Sequence, residues 1–289
     1  MNVSDLPPEV QKLSTLSVFD EWPDYQKLGI GQHHIPALIE ISRNAPDFWR
    51  DEAPDENFFM PLHAWKALVQ LRAPEAVTEL LYAMRWLIDE NSDSLLFEEF
   101  PFVFGRLDSS SVGPLIEYLL NQKNDNEARA CVAEGLVYLV ENHPELREEA
   151  IQAFRTTLER YEEEDPFFNA VFVSFLAELD AVEAAPLVEQ VYQSNHVDTS
   201  VIGDWEDFQV KVGLLEKRRS PRAQNMQFSD VFSIDLTREG LPITTPYPNF
   251  DETPQEQQKW KELNKKRNKK EKNKLKEAKS ARKKHHKKK

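Results

Sequence analysis

The chain has 289 residues, 40% of them apolar, with 36 Lys+Arg against 50 Asp+Glu and a formal net charge of −14, which is enough apolar material for one sizeable core. Gly is scarce at 8 and the single cysteine is Cys131, while no run approaches the roughly 18 consecutive apolar residues of a membrane span. A collagen-like chain, a disulfide scaffold and a transmembrane protein are thereby excluded, and a lone cysteine makes a reducing, cytoplasmic home the expectation.

Residues 1–31 form an N-terminal segment whose opening, MNVSDLPPEV, lacks the basic and apolar regions of a secretory signal. From 32 to 220 apolar positions recur at three and four rather than at two, which predicts helix after helix. Ile35, Leu38 and Ile39 mark the first, with Pro36 where an opening turn tolerates it. In order, the next are Leu62, Trp65, Leu68 and Val69; Val77, Leu80, Leu81 and Met84; Leu115, Ile116 and Leu119; Val132, Leu136 and Leu139; Ile151, Phe154 and Leu158; and Val171, Phe175 and Leu176. No Asn-Gly or Gly-Gly hairpin signal interrupts them, so the fold class is all-α.

The helices repeat. Leu71, Leu107 and Leu179 are followed at the fifth position by Ala76, Val112 and Ala184, and at the ninth by Leu80, Ile116 and Val188. The best copies, RLDSSSVGPLIEYLL (106–120) and ELDAVEAAPLVEQVY (178–192), share Leu-Asp, a small spacer, Pro114 or Pro186 and a bulky apolar pair. The spacing implies a unit of about 36 residues, and the copy around His143 is expected to carry a lengthened turn. Such units cannot bury an apolar face alone and must stack into an α-solenoid of antiparallel helix pairs.

The Leu-Asp-x-x-x-Ala/Val-x-Pro-Leu pattern over 32–195 resembles HEAT-type helical repeats, including those of bilin-lyase-like proteins. Extended to about 215 through Gly203-Asp204-Trp205-Glu206-Asp207-Phe208-Gln209-Val210, it resembles an uncharacterised cyanobacterial and chlamydial family of about this length. The first resemblance implies a HEAT-like solenoid. The second implies a C-terminal Cys-rich metal module, which this chain replaces with lysines, so no metal or cofactor is carried over.

Residues 222–258 hold one alternating run, Phe232-Ser233-Ile234-Asp235-Leu236, then a Pro-rich stretch; a lone strand has nothing to pair with, which predicts an extended linker. Residues 259–289 carry 17 Lys+Arg against Glu262, Glu271 and Glu277, whereas the other 258 residues carry 19 against 47. This tail has Trp260, Leu263 and Leu275 as its large apolar residues and is expected to be disordered or partly helical. Lys265, Lys266, Arg267, Lys269 and Lys270, with Arg282, Lys283, Lys284, Lys287, Lys288 and Lys289, form polybasic clusters of the kind that bind nucleic acid or serve as a targeting address.

Other constellations favour structure over chemistry. Asp204, Glu206 and Asp207 could converge on a cation, but their spacing suits a helix N-cap followed by an acidic first turn, with Trp205, Phe208 and Val212 on the apolar face. His33 and His34 should diverge by about 100° on a helix, and His63, His143 and His196 stand alone as surface or helix-end residues. Cys131 is expected in the core, and Tyr161-Glu162-Glu163-Glu164-Asp165 as a solvated helix end. Neither a phosphate loop nor a nucleophile elbow occurs. The expected function is a non-enzymatic scaffold that binds a protein partner along a groove, with the tail as an electrostatic contact. Alternatives are tail-driven RNA or DNA binding, an address into the host-cell nucleus if the source is an intracellular bacterium, and a bilin-lyase-like cofactor-handling enzyme.

Overall fold

A computed structural model describes residues 1–16, 22–49, 57–89 and 99–221. In chain order the helices are α1 (Pro8–Gln11), α2 (Ile35–Arg43), α3 (Ala45–Trp49), α4 (Met60–Gln70), α5 (Ala76–Asp89), α6 (Phe100–Phe104), α7 (Val112–Leu120), α8 (Asn126–Asn142), α9 (Arg147–Leu158), α10 (Pro166–Glu178), α11 (Ala185–Gln193), α12 (Thr199–Ile202) and α13 (Trp205–Lys211), and no strand occurs among the described residues. The fold is all-α, and it repeats.

Short 3-10 turns, Gln32–His34, Ser109–Ser111, Pro144–Leu146 and Val182–Ala184, run straight into α2, α7, α9 and α11. With α5 between the first two, these helices start roughly 35 to 41 residues apart, the period of a helix-pair repeat. They form one layer, in which α2 touches α5, α5 touches α7, α7 touches α9 and α9 touches α11. The second layer runs α4, α6, α8 and α10, again with each helix on the next, and α12 and α13 both pack on α10. Pairing across the layers, α2 on α4, α7 on α8, α9 on α10 and α11 on α13, closes the core between them.

Burial differs sharply between the layers. In α7 only Val112, Leu115 and Leu119 are buried, whereas α10 is buried continuously from Phe168 to Ala177. Likewise α4 is buried all round from Met60 to Val69, so the single apolar face expected there from Leu62, Trp65, Leu68 and Val69 is too narrow a description. A helix flanked by neighbours on both sides and covered by the other layer keeps little free surface, so its apolar residues spread round it, and the polar ones it buries are partnered, as Lys66 is by Glu99 at 2.9 Å.

Local chemistry sets the ends. Asp125, Asp165, Asp198 and Asp204 cap α8, α10, α12 and α13, each side chain accepting first-turn backbone N–H groups. Three helices close on a left-handed residue, Arg72 (φ 53°), Asp180 (φ 50°) and Asn195 (φ 61°). In each case the next N–H reaches back: Ala73 to the Leu68 carbonyl at 3.0 Å, Ala181 to Leu176 at 2.9 Å and His196 to Val191 at 3.2 Å, the double-bonded C-terminal motif that satisfies orphan carbonyls.

The three anchor leucines of the repeat share a further feature. Gln32 Nε2 donates to the Leu71 carbonyl at 2.8 Å, His143 Nε2 lies 3.2 Å from the Leu107 carbonyl, and Arg147 donates to the carbonyls of Leu179 and Asp180 at 2.9 and 3.0 Å. Each donor belongs to an adjacent unit. The unit around His143 departs from expectation: α8 extends to Asn142 and leaves only residues 143–146 before α9, so the helix is lengthened and the turn shortened.

Two glycines set the closest approach within the second layer. A Cβ on Gly135 of α8 would lie 2.6 Å from Phe104 Cβ of α6, and one on Gly105 would meet Tyr138 Cβ; both pairs require that no Cβ be present. At the first end of the stack Val10 and Leu13 are fully buried, the turn Lys12–Thr15 touches α4, and Tyr25 Oη lies 2.8 Å from His63 Nδ1. Among the described residues no helix is long and apolar enough to cross a membrane.

Candidate functional site

The Asp125 cap starts a helix of 17 residues, long enough for a stripe at i, i+4 and i+7 to present Glu134, Tyr138 and Glu141 along one side. Glu134 and Tyr138 interrupt the apolar middle of the helix, Ala130 to Val140, and Glu141 follows it. Tyr138 Oη donates to Glu134 Oε1 at 3.2 Å, and its ring stacks on Phe102 of α6 with centroids 5.1 Å apart. From the adjoining α10, the C-terminal residue Glu178 adds a third carboxylate, whose Oε1 is buried and has no hydrogen-bond partner among the described residues.

Electrostatics distinguish this ridge from the rest of the acidic surface. Burial pushes Glu134 up to about 7, with the Tyr138 hydroxyl pulling weakly the other way. Burial and then the neighbouring Glu134 push Glu178 up to about 7, opposed by Lys211 of α13. Glu141 is raised by burial, and Tyr138 is held well above an ordinary phenol by burial and by Glu134. Partial burial of Glu134 and Glu178 withdraws part of the water that would stabilise their charge, while Glu141, at the end of the stripe, stays exposed. A ridge of this kind can hold protons at neutral pH or accept a cationic group that desolvates it, and its aromatic pair offers a flat apolar neighbour for such a group.

The acidic group at the end of the stack does something else. Asp204 accepts from the backbone N–H groups of Glu206 and Asp207, and Asp207 Oδ2 accepts from Asp204 N at 3.1 Å, a reciprocal capping box. Arg218, which the spacing of the acidic residues gave no sign of, donates to Asp204 Oδ1 and Oδ2 at 2.6 and 2.7 Å and lies 2.7 Å from Asp207 Oδ2. These bonds hold the Asp204 carboxyl below its ordinary range. Glu206 accepts from the backbone of Arg219 and Ser220. A cap and a clasp occupy these oxygens, and among the described residues no three His, Cys, Asp or Glu are arranged to hold a metal.

Other expectations are corrected. His63 is fully buried against Tyr25 and is no surface residue. The rings of His33 and His34 do not diverge; in the tight 3-10 turn their centroids are 3.8 Å apart. Within the run 161–165, Glu162 and Glu163 are exposed, but Glu164 forms a 2.7 Å ion pair with the buried Arg129, and Asp165 caps α10. Cys131 is buried in the core as expected, and burial pushes its thiol well up. The polybasic residues Lys265 to Lys270 and Arg282 to Lys289, and the run Phe232–Leu236, lie outside the described residues.

The ridge has one sequence signal: Glu134 interrupts the largely apolar run from Ala130 to Val140, and Glu141 ends it. That Glu178 joins them depends on how α10 stacks on α8, which periodicity does not encode.

The profile of a protein family of unknown function, DUF1186, matches residues 26–229, well over half of the chain. The chain belongs to this family. No curated protein and no solved structure matches it. The DUF1186 match begins ahead of α2 and runs past Arg218, so it takes in both layers, the ridge and the capping clasp.

Proposed function

We propose that this DUF1186 protein is a non-enzymatic helical-repeat scaffold, of the HEAT-like kind, that binds a protein partner, with the polybasic tail supplying a second, electrostatic contact. The observation that supports this reading is the ridge of Phe102, Glu134, Tyr138, Glu141 and Glu178, contributed by three successive helices of one layer. Stacked repeats read their ligands with such extended edges, and a cationic partner side chain would relieve the cost that burial imposes on these carboxylates. A second reading, nucleic-acid binding by the tail, is favoured by 17 Lys+Arg within 31 residues; contact with about eight RNA phosphates gives a log-affinity slope against log salt near −6.

The test is affinity capture from native lysate with the full chain and with a full-length variant whose tail Lys and Arg are changed to Gln, each with and without nuclease, followed by cross-link mapping. A nuclease-resistant partner cross-linked along α8 and α10 supports the scaffold. Capture that follows the tail charge and disappears with nuclease replaces it with the second reading, and turnover of a small substrate by the purified chain overturns the non-enzymatic part.

A further inference from the structure

The opposite layer carries an apolar strip that the core does not use. On α7, Val112, Leu115 and Leu119 are buried. One step round the helix, Ile116 is only half-buried and Leu120 is 37% exposed, among the few large apolar side chains so open. These two residues, one turn apart, face Ala153, Thr156 and Gln152 of α9 and, with Glu148 and Glu149, line an open depression of about 380 Å³.

Charge around the strip has one sign. Glu149 lines it, and Glu117 follows Ile116 on α7; both are exposed, and neither enters an ion pair or hydrogen bond among the described residues. Glu148 is satisfied by Arg147 at 3.0 Å but stays largely in water. Arg155, also on α9, does not line the depression. Carboxylates beside an apolar floor repel an anionic membrane or nucleic acid and attract Lys and Arg. The floor also has the dimensions of a helix: α7 is nine residues long, about 13 Å of ridge, which matches two to three turns of a partner's helix.

From this apolar floor and its acidic rim we infer that the α7/α9 groove docks a basic amphipathic helix of a partner protein, its apolar stripe on Ile116, Leu120 and Ala153 and its Lys or Arg residues on Glu117 and Glu149. The mode is helix-in-groove recognition. It rests on the partner-binding reading above but concerns the other layer, so the two can fail separately.

The test uses the full chain and a fluorescent, helix-forming peptide of about 14 residues with Leu at i, i+3 and i+7 and Lys flanking them, read by anisotropy. Controls are a peptide of the same composition in scrambled order and one with Glu in place of Lys. The expected result is saturable binding of the amphipathic basic peptide, weakened about tenfold or more by Glu149→Lys and by Leu120→Ser, and restored in Glu149→Lys by the Glu-bearing peptide. Hydrogen exchange should show protection over 112–120 and 147–158. Equal binding of the scrambled peptide, or indifference to both substitutions, overturns the inference, as does self-association of the chain through this groove without peptide. Binding that survives both substitutions but is lost in Glu134→Gln with Glu178→Gln overturns the groove while leaving the ridge as the partner site. Because Leu120 and Glu149 are surface residues, unchanged unfolding curves for the variants separate lost docking from lost folding.

Discussion

Arg129 is the side chain whose loss the structure prices most clearly. Its guanidinium is buried, donates from Nε to the Leu119 carbonyl at 2.9 Å and from Nη1 to Asn126 Oδ1 at 2.8 Å and Glu164 Oε1 at 2.7 Å, and lies 4.7 Å from the centre of the Phe168 ring. One residue thus joins the end of α7, the start of α8, the loop after α9 and the first turn of α10. Arg129→Met keeps most of the volume but strands a carboxylate whose side chain is only 9% exposed and removes the donor from the Leu119 carbonyl. Removing one partner of a buried pair costs about 3–5 kcal/mol. Asn126 still donates to Glu164 Oε2 at 3.0 Å, which places the expected loss near 3 kcal/mol, or roughly 6–12 °C in Tm for a body of this size. Urea unfolding followed by circular dichroism measures it, and Arg129→Met with Glu164→Leu completes the cycle. Since the double variant no longer buries an unpaired charge, it should lose at least about 1.5 kcal/mol less than the sum of the single variants. A cost below about 1 kcal/mol for Arg129→Met, or strict additivity, would refute the argument that this pair joins the repeats.

Gly135→Ala gains about 1 kcal/mol of helix propensity but drives a methyl to 2.6 Å from Phe104 Cβ, on a ring with no exposure; overpacking of about 1–3 kcal/mol should win, and an unchanged or raised Tm would show that α6 and α8 can part. Glu134 and Glu178 keep their protons to about pH 7 when folded, whereas the unfolded carboxylates release theirs near 4.5, so their contribution to stability falls as pH rises from about 4.5 to 7 and is flat above. Glu178→Gln should reduce that decline by about 1–2 kcal/mol, discounted for partial exposure, and denaturant midpoints at pH 5 and 8 check it: an unaltered difference between them counts against burial as the cause. Arg72→Gly replaces a β-carbon-bearing residue at φ 53° and should stabilise by up to about 1 kcal/mol; a loss of midpoint in urea would mean that the Arg72 side chain contributes more than its backbone strain costs.

The repeat was legible because its marks are local. Leu71 and Leu179 end their helices, the left-handed Arg72 and Asp180 follow, and α5 and α11 then begin, α11 with Pro186 in its first turn, all within a few residues of one another in sequence. The Asp204 cap was legible for the same reason. What escaped depends on partners far along the chain: Arg218 reaches back 14 residues to Asp204, Arg129 pairs across 35 with Glu164, and Tyr25 meets His63 across 38. The ridge lies between these cases, since the spacing of Glu134 and Tyr138 is visible on one helix, while Glu178 joins them only through the packing of α10 on α8. Composition could not separate Glu164, held in an ion pair, from the exposed Glu162 and Glu163 beside it.

The side chains that grip the Leu71, Leu107 and Leu179 carbonyls give the stack a mechanical character. Each grip spans one joint between adjacent units and none spans two, so a disturbance at one end weakens the next joint before it reaches the one after. Under load from a bound partner the protein should flex like a short chain of hinged links, with small rotations shared among its joints. Amide exchange should then fade gradually from the middle units towards the ends, and a partner that touches several links would stiffen all the joints it spans.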